Sequence, residues 1–282
     1  MKKYFVLTML LPLLAAAAGP AVFAGGFKGT ENLAFDGKGA LYVSDAHRLW
    51  RVEGGKPTEL FALGKDDGTS LGGVAVGPGG KIYFSIGRRI MTYDPAAGKV
   101  EEFVTGFKFA NGICFDDAGD LFVADTNGTT LYVVPAGSHE LKKLKAGAGT
   151  VNGIVWSRDL NALYYTVMLP GEVRLLTLGP GLSDAGERSI KKFTGAVLDD
   201  MTLDAAGNVY VCQYGGGRVV KLTADGKEET VLSGLDGPSS VEFGPGESKL
   251  YVTIKGKTLS FNGTTVIAAD LGATAYRQPF LP

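Results

Sequence analysis

A motif that recurs six times at intervals of about forty residues limits the possible folds of this chain more than any other feature. Each copy contains a short strand with an aromatic residue in third place. The copies are ALYVSD, KIYFSI, DLFVAD, ALYYTV, NVYVCQ and KLYVTI. Their aromatic residues are Tyr42, Tyr83, Phe122, Tyr164, Tyr210 and Tyr251. A fixed period of this kind is typical of proteins built from repeated supersecondary units.

A second apolar pattern precedes each aromatic strand, with two large residues separated by one other residue. These pairs are Leu33/Phe35, Val74/Val76, Ile113/Phe115, Ile154/Trp156, Met201/Leu203 and Val241/Phe243. A period of two predicts β-strands, and turns such as DDAG and DAAG join the two strands as a hairpin. Two further strands follow in each unit, and in the last unit they are expected to be TLSF and TTVIAA.

Six units of four strands predict an all-β protein, a six-bladed β-propeller with four antiparallel strands per blade. An open sandwich would also give short alternating strands, but it does not require one motif in the same register six times. The 42 glycines are explained by the many tight turns of a propeller.

The N-terminus has two lysines, a long apolar run and a small-residue site, Val22-Phe23-Ala24. This pattern is typical of a bacterial secretory signal peptide over residues 1–24, so residues 25–282 are expected to form a single propeller domain. The expected location is periplasmic or secreted, without a membrane anchor after signal cleavage. Cys114 and Cys212 are interpreted as buried hydrophobic residues, although an exported protein could pair them.

The charge distribution argues against large polyanionic partners. The formal net charge is −1 and the basic residues are scattered, so the basic surface that nucleic acid or an anionic membrane requires is not expected. A small molecule is therefore the expected partner. A propeller has no intrinsic need to assemble, and a monomer is expected.

The residues that open the six first strands should meet at one mouth of the central channel. They are Glu31, Gly72, Asn111, Asn152, Asp199 and Ser239. An Asn-Gly pair alone is usually a turn, but here two lie in matching register with two carboxylates. Carboxylates at about 4 Å repel by roughly 4 kcal/mol at an effective dielectric near 20, which favours a bound cation. Oxygen ligands without His or Cys suit Ca²⁺ or Mg²⁺, and the irregular site favours Ca²⁺.

The second strand of each blade should run back to the same mouth, so its end is expected to border the site. His47, Asp125 and Tyr214 lie at such ends and are candidate substrate-binding residues. His47 is also a candidate proton carrier near neutral pH. The alternatives are that His47 is a solvated turn residue and that Asp125 caps a turn.

Several blocks in the right order resemble the senescence marker protein/gluconolactonase family of six-bladed propellers. The blocks are ENLAFD, ANGICFDDAGDLFVAD, VNGIVWSRDLNALYYT and LDDMTLDAAGNVYVCQYGGGRVVKL. This resemblance implies metal ligation by Glu31, Asn152 and Asp199. It also implies that Asn111 contacts substrate or a metal-bound water.

Two positions depart from the family pattern. Phe109 stands where sugar-lactone members have arginine, which argues against a polyhydroxylated aldonolactone. Asp200 stands where the family has glycine, so both Asp199 and Asp200 remain candidate ligands, and the register favours Asp199.

The resulting hypothesis is an exported, calcium-dependent hydrolase of lactones or related esters, with Asp199 as the catalytic base that orients or deprotonates water. The alternative is a non-catalytic binding or scaffold propeller with a structural metal, and a lyase-type or strictosidine-synthase-like propeller is a third reading. An open coordination position would favour the enzyme, whereas a structural site fills its coordination sphere with protein.

Overall fold

Six four-stranded antiparallel sheets surround a central axis in the computed structural model, which describes residues 19–64, 67–257 and 262–281. This arrangement is the six-bladed β-propeller that the repeats predict. Within the described ranges the one helical segment is a short 3₁₀ turn, Pro78–Gly80. No described helix has the length and apolar character needed to cross a bilayer.

The strands follow the repeat along the chain. Strand β1 is Ala21–Gly25. Blade one contains β2 to β5, which are Asn32–Phe35, Leu41–Ser44, Arg48–Glu53 and Lys56–Ala62. Blade two contains β6 to β9, which are Leu71–Val76, Ile82–Ile86, Arg89–Asp94 and Lys99–Thr105. Blade three contains β10 to β13, which are Ala110–Phe115, Leu121–Asp125, Thr130–Val134 and Lys142–Ala146.

The remaining blades continue in the same order. Blade four contains β14 to β17, which are Val151–Ser157, Ala162–Val167, Glu172–Gly179 and Ser183–Lys192. Blade five contains β18 to β21, which are Leu198–Leu203, Val209–Gln213, Arg218–Leu222 and Glu228–Leu232. Blade six contains β22 to β24, which are Pro238–Phe243, Lys249–Ile254 and Thr265–Asp270, together with β1.

The core lies between neighbouring blades, where the period-two residues pack face to face. The aromatic residues of all six second strands are buried, as are the large apolar pairs of the first strands. Phe122 of blade three, for example, stacks on Trp156 of blade four with ring centroids 6.2 Å apart. Cys114 and Cys212 are both buried and neither forms a disulfide, which confirms their interpretation as core residues.

The last blade corrects the strand assignment made from the sequence. TTVIAA was predicted to be its fourth strand, but β24 is the third strand, because it pairs with β23 on one side and β1 on the other. TLSF, predicted to be the third strand, lies outside the described residues. The error arose because the true fourth strand is distant in sequence and carries no copy of the repeat.

Strand β1 closes the ring by joining the two ends of the chain in one sheet. Ala24 is 3% exposed, and the Phe23 ring contacts Tyr251 edge-to-face with centroids 5.0 Å apart. The cleavage position expected after Ala24 lies within this strand, Ala21–Gly25.

Two glycines of the inner strands, Gly73 after Gly72 and Gly112 after Asn111, lie where neighbouring backbones approach too closely for a side chain. A Cβ atom on Gly73 would lie 2.6 Å from the Asn111 carbonyl oxygen, and one on Gly112 would lie 2.3 Å from that of Asn152. Real Cβ atoms do not come this close to such an oxygen. Glycine at these positions therefore allows the inner strands to converge on the axis.

Deletion of β1 tests the closure of the ring. We expect a chain that starts at Gly26 to melt at least about 5 °C below one that starts at Gly19, because it loses the β1–β24 ladder and uncovers Val266. Thermal unfolding followed by far-ultraviolet circular dichroism measures the difference. A chain that starts at Ala21 is the control and should match the longer one. Equal melting temperatures for all three chains would contradict the closing role of β1.

Candidate metal centre

The residues predicted to open the inner strands lie at or next to the strand starts, at one mouth of the channel, but their side chains do not all face its centre. Gly72 has no side chain. The Ser239 hydroxyl turns toward its neighbours, lying 2.8 Å from Thr253 Oγ1 and donating to the Thr30 carbonyl at 3.0 Å. Asn111 is 8% exposed, and a Cβ on Gly72 would lie 3.2 Å from its Oδ1.

Glu31, Asn152 and Asp199 form the polar centre of this mouth, and Lys255 joins them. The Asn152 amide hydrogen-bonds to the Asp199 carboxylate, and the charge of Glu31 acts on the same carboxylate. The Lys255 ammonium forms an ion pair with Glu31. Tyr214 lies within range of the charges of Lys255, Asp199 and Glu31, and its hydroxyl donates to the Gly256 carbonyl at 2.6 Å.

The electrostatics of Asp199 favour its protonated form. Burial raises the pKa of its carboxyl well above the ordinary value, and the negative charge of Glu31 raises it further. Lys255 and the hydrogen bond from Asn152 act in the opposite direction without cancelling the effect. The charge state of Asp199 therefore depends on the positive charge close to it.

Hydroxyl groups on the second strands hold several mouth residues in place, and the sequence reading missed them. Thr166 Oγ1 accepts from Gly153 N and donates to the Asp199 carbonyl, both at 2.8 Å. In blade six, Thr253 Oγ1 accepts from Ser240 N at 2.8 Å and donates to the Glu31 carbonyl at 3.2 Å. Each hydroxyl therefore links its own inner strand to that of the next blade.

The same bridge recurs in other blades. Ser44 Oγ donates to the Gly72 carbonyl at 2.7 Å, and Ser85 Oγ donates to the Asn111 carbonyl at 2.9 Å. The signal was present in the sequence, because Ser or Thr occupies fifth place in four of the six aromatic motifs. Only the tertiary structure shows that this position faces the next inner strand.

Asp200 lies within the channel rather than in the polar centre of the mouth. Its Oδ2 accepts from Asn32 Nδ2 at 2.7 Å and from Ser240 Oγ at 2.8 Å. A Cβ on Gly153 would lie 2.5 Å from Asp200 Oδ1, so this glycine makes room for the carboxylate. Burial raises the pKa of Asp200 to about 6 despite its hydrogen-bond donors.

A cavity of about 70 Å³ lies in the channel next to Asp200, and Glu242 is part of its wall. Gln278, Pro279 and Leu281 of the C-terminal segment also line it. Burial raises the pKa of Glu242 to about 8, and the negative charge of Asp200 adds to the effect. The sequence reading did not predict this second acidic layer, because Glu242 replaces the small or uncharged residues of the other blades.

The three predicted rim residues occupy different environments. Asp125 is 1% exposed, and its carboxylate accepts from the backbone N–H groups of Lys108, Phe109 and Gly128 at 2.7–3.0 Å. These contacts are those of a turn cap. His47 is exposed on the turn between β3 and β4, and its backbone N–H donates to Asp45 Oδ1 at 2.9 Å. Of the three, Tyr214 is the residue within range of the Glu31 and Asp199 charges.

The donor chemistry at the mouth fits a hard cation, although the set is small. Among the residues that the structure describes, no group of three His, Cys, Asp or Glu side chains is arranged to hold a metal ion. The site instead offers two carboxylates and an amide, from Glu31, Asp199 and Asn152. Lys255 supplies a positive charge beside Glu31. Oxygen ligands of this type suit Ca²⁺ or Mg²⁺.

Comparison with known families identifies the group to which this propeller belongs. The sequence profile described as "SMP-30/Gluconolactonase/LRE-like region" matches residues 33–256, which include most of the blades and the residues of the mouth other than Glu31. The chain is a member of this family. Membership in the SMP-30/gluconolactonase/LRE-like family confirms the resemblance seen in the sequence.

Individual relatives are similar over part of their length. Pentonolactonase XacC of Haloferax volcanii is 34% identical over 146 residues, which cover 49% of this chain and 45% of the relative. Regucalcin of Xenopus laevis is 36% identical over 109 residues, or 36% of each chain. The matched stretches thus span less than half of the length of these curated relatives.

Solved structures share the fold over nearly the whole chain. A calcium-binding protein, regucalcin, from Agrobacterium tumefaciens has a TM-score of 0.78 at 18% identity, covering 94% of this chain and 98% of its own. A gluconolactonase from Xanthomonas campestris has a TM-score of 0.75 at 17% identity, covering 88% of each chain. At these identities the comparison establishes the propeller fold alone.

Replacement of Thr166 by valine tests the hydroxyl bridge beneath Asp199. We expect a loss of about 2 kcal/mol of unfolding free energy, because the Gly153 N–H and the Asp199 carbonyl lose a buried partner. Urea denaturation measures this loss. Thr177→Val changes an exposed threonine of the same blade and should alter stability by less than about 0.5 kcal/mol. Equal stabilities for the two variants would contradict the proposed bridge.

Replacement of Glu242 by glutamine tests the acidic layer of the channel. The folded-state pKa of about 8 exceeds the ordinary value near 4.3, so the native state keeps a proton that the unfolded chain releases. Folding stability linked to Glu242 is therefore complete below about pH 4 and is lost as the pH rises through about 8. Glutamine cannot ionise, so the variant should gain about 2 to 4 kcal/mol over the natural protein as the pH is raised from about 4 to about 9.

Urea denaturation at the two pH values measures the effect of Glu242→Gln. Glu229→Gln, at an exposed position of β21, is the matched control and should show no comparable gain. A difference between Glu242→Gln and the natural protein that stays constant with pH would show that Glu242 ionises normally in the channel.

Proposed function

We propose that this protein is a metal-dependent hydrolase of lactones or related esters, with Ca²⁺ as the favoured ion. The observation that carries this proposal is the grouping of Glu31, Asn152 and Asp199 at one mouth of the channel. Family membership and the names of its relatives, pentonolactonase and gluconolactonase, support lactone hydrolysis as the reaction class. The regucalcin-like relative described as calcium-binding supports the choice of ion.

Glu31, Asn152 and Asp199 would hold the ion through two carboxylates and an amide oxygen. When bound, the ion would polarise the carbonyl of the substrate and lower the pKa of a water molecule. The hydrogen bonds of Asp200 to Asn32 and Ser240 keep its carboxylate in the channel, which supports Asp199 as the ligand at the mouth.

Asp199 would act as the general base of the reaction. As a carboxylate beside the proposed ion site, it would take a proton from the attacking water and later return it to the leaving oxygen of the opened ester. The Thr166 bridge fixes the backbone of Asp199 and so limits the movement of this group. Asn111 and Tyr214 lie on the same mouth and would orient the substrate through an amide and a phenol.

The contacts of the other two candidate residues support different roles. The Asp125 carboxylate accepts hydrogen bonds from backbone N–H groups. Asp125 would therefore shape the loop that leads to Asn111 rather than bind substrate directly. His47 is exposed and would contact only a substrate that extends over the rim.

Export of the protein is also part of this proposal, supported by the leader-like pattern of residues 1–24. Strand β1 begins at Ala21 and completes the last blade. A mature propeller with all its strands would therefore require removal of the leader before Ala21. The partner that we propose is a small lactone or ester.

Metal-ligand variants test the proposed reaction. Glu31→Gln and Asp199→Asn should each lower kcat/KM for a lactone or an aryl ester by roughly 100-fold or more, because each removes a carboxylate from the proposed ion site. Activity is measured with chelator-treated protein, before and after addition of Ca²⁺. The natural protein should regain activity with Ca²⁺, and neither variant should do so fully.

Glu229→Gln is again the matched control, since Glu229 is exposed on the outer strand β21, and it should retain normal activity. Circular dichroism verifies that each variant keeps the propeller fold. If both ligand variants are folded and hydrolyse the substrates as fast as the natural protein, the assignment of Glu31 and Asp199 is wrong.

A further inference from the structure

Lys255 stands out among the residues that follow the second strands. The residue at the equivalent position, seventh from the start of each aromatic motif, is Ala46, Gly87, Thr126, Met168, Tyr214 or Lys255. Lys255 is the one cation in this set. Neither the family resemblance nor the predicted ring of first-strand residues assigned a role to Lys255.

The side chain of Lys255 extends into the polar centre of the mouth. Its ammonium group contacts the Glu31 carboxylate, and the two side chains are 20% and 11% exposed. Burial opposes the positive charge, but Glu31 and Asp199 outweigh burial and raise the pKa of Lys255. Lys255 is therefore a charged group in contact with Glu31 and within range of Asp199, the two acidic residues that would bind the metal ion.

The backbone around Lys255 restricts how the ammonium group reaches this position. Lys255 N donates to the Gly237 carbonyl at 2.9 Å, and Gly263 N donates to the Lys255 carbonyl at 2.8 Å. The backbone N–H and the backbone carbonyl of Lys255 are therefore both hydrogen-bonded to neighbouring segments. The side chain alone can leave the site, through rotation about its own flexible bonds.

We propose that Lys255 is a tethered cation that competes with the divalent metal ion for Glu31, so that metal binding requires the ammonium group to leave. This inference rests on the metal site of the proposed function. The ammonium group already contacts the Glu31 carboxylate, and a divalent cation beside it would repel it. Lys255 thus stabilises the metal-free carboxylate pair and weakens metal affinity.

Two opposite effects of the same substitution follow from this competition. Without metal, Lys255→Met leaves Glu31 without its counter-ion, and the variant is less stable than the natural protein. With metal, the ion no longer displaces an ammonium group, and the variant binds it more tightly. A purely structural lysine would lower stability in both states and would not tighten binding.

Calorimetric titration of Ca²⁺ into chelator-treated protein at a single pH tests the inference. Lys255→Met should bind Ca²⁺ at least tenfold more tightly than the natural protein. Lys255→Arg keeps the charge and should not bind more tightly than the natural protein. Lys108→Met removes an exposed lysine from the loop before β10 and should change the affinity less than twofold.

Melting temperatures give a second readout that is independent of catalysis. The rise in melting temperature on addition of Ca²⁺ should be larger for Lys255→Met than for the natural protein, starting from a lower metal-free value. Lys255→Gln serves the same purpose if the methionine variant does not fold.

The outcomes separate this inference from the proposed function. If the natural protein binds Ca²⁺ through Glu31 but Lys255→Met and Lys255→Gln bind it equally or more weakly, the competition is refuted while the metal site stands. If the neutral variants bind more tightly but no protein hydrolyses lactones or esters, the competition stands and the hydrolase proposal fails. Absence of Ca²⁺ binding in the natural protein and in both neutral variants would overturn the competition as well.

Discussion

The close approach of the inner strands at the axis is the constraint on which the rest of the structure depends. Gly73 and Gly112 allow backbones to come within distances that any Cβ would block. The hydroxyl groups of Ser44, Thr166 and Thr253 then bridge from one blade to the next inner strand. Because these bridges involve the carbonyls of the mouth residues, the packing that closes the propeller also positions its polar centre.

Convergence of this kind has an electrostatic cost that the chain must offset. Glu31 and Asp199 approach each other in a poorly solvated mouth, so both carboxylates are ionised together only if a cation is near. Lys255 supplies one positive charge, and a divalent ion would supply two. Farther along the channel, Asp200 is stabilised by Asn32 and Ser240, while desolvation favours a protonated Glu242 at neutral pH. The acidic groups proposed to act in function and those that affect stability therefore lie along the same channel.

Much of the fold could be predicted because its signals are local and repeated. Alternation with a period of two, an aromatic residue in a fixed place and turn residues between strands are read within one blade, and six copies in register identify the propeller. The same register predicted that Glu31, Asn152 and Asp199 lie close together. It failed at the last blade, because β1 pairs with β24 across almost the whole chain and no local pattern marks such a pairing.

The sequence by itself determined the six repeated units, the buried faces of their strands and the carboxylate and amide groups that begin the inner strands, since each follows from the periodicity of the backbone. Tertiary structure alone decided that Lys255 forms an ion pair with Glu31, that second-strand hydroxyls link neighbouring blades and that Asp125 caps a turn. These contacts join residues from different blades or loops. Their geometry depends on how the sheets are placed around the axis, and no spacing along the chain encodes that placement.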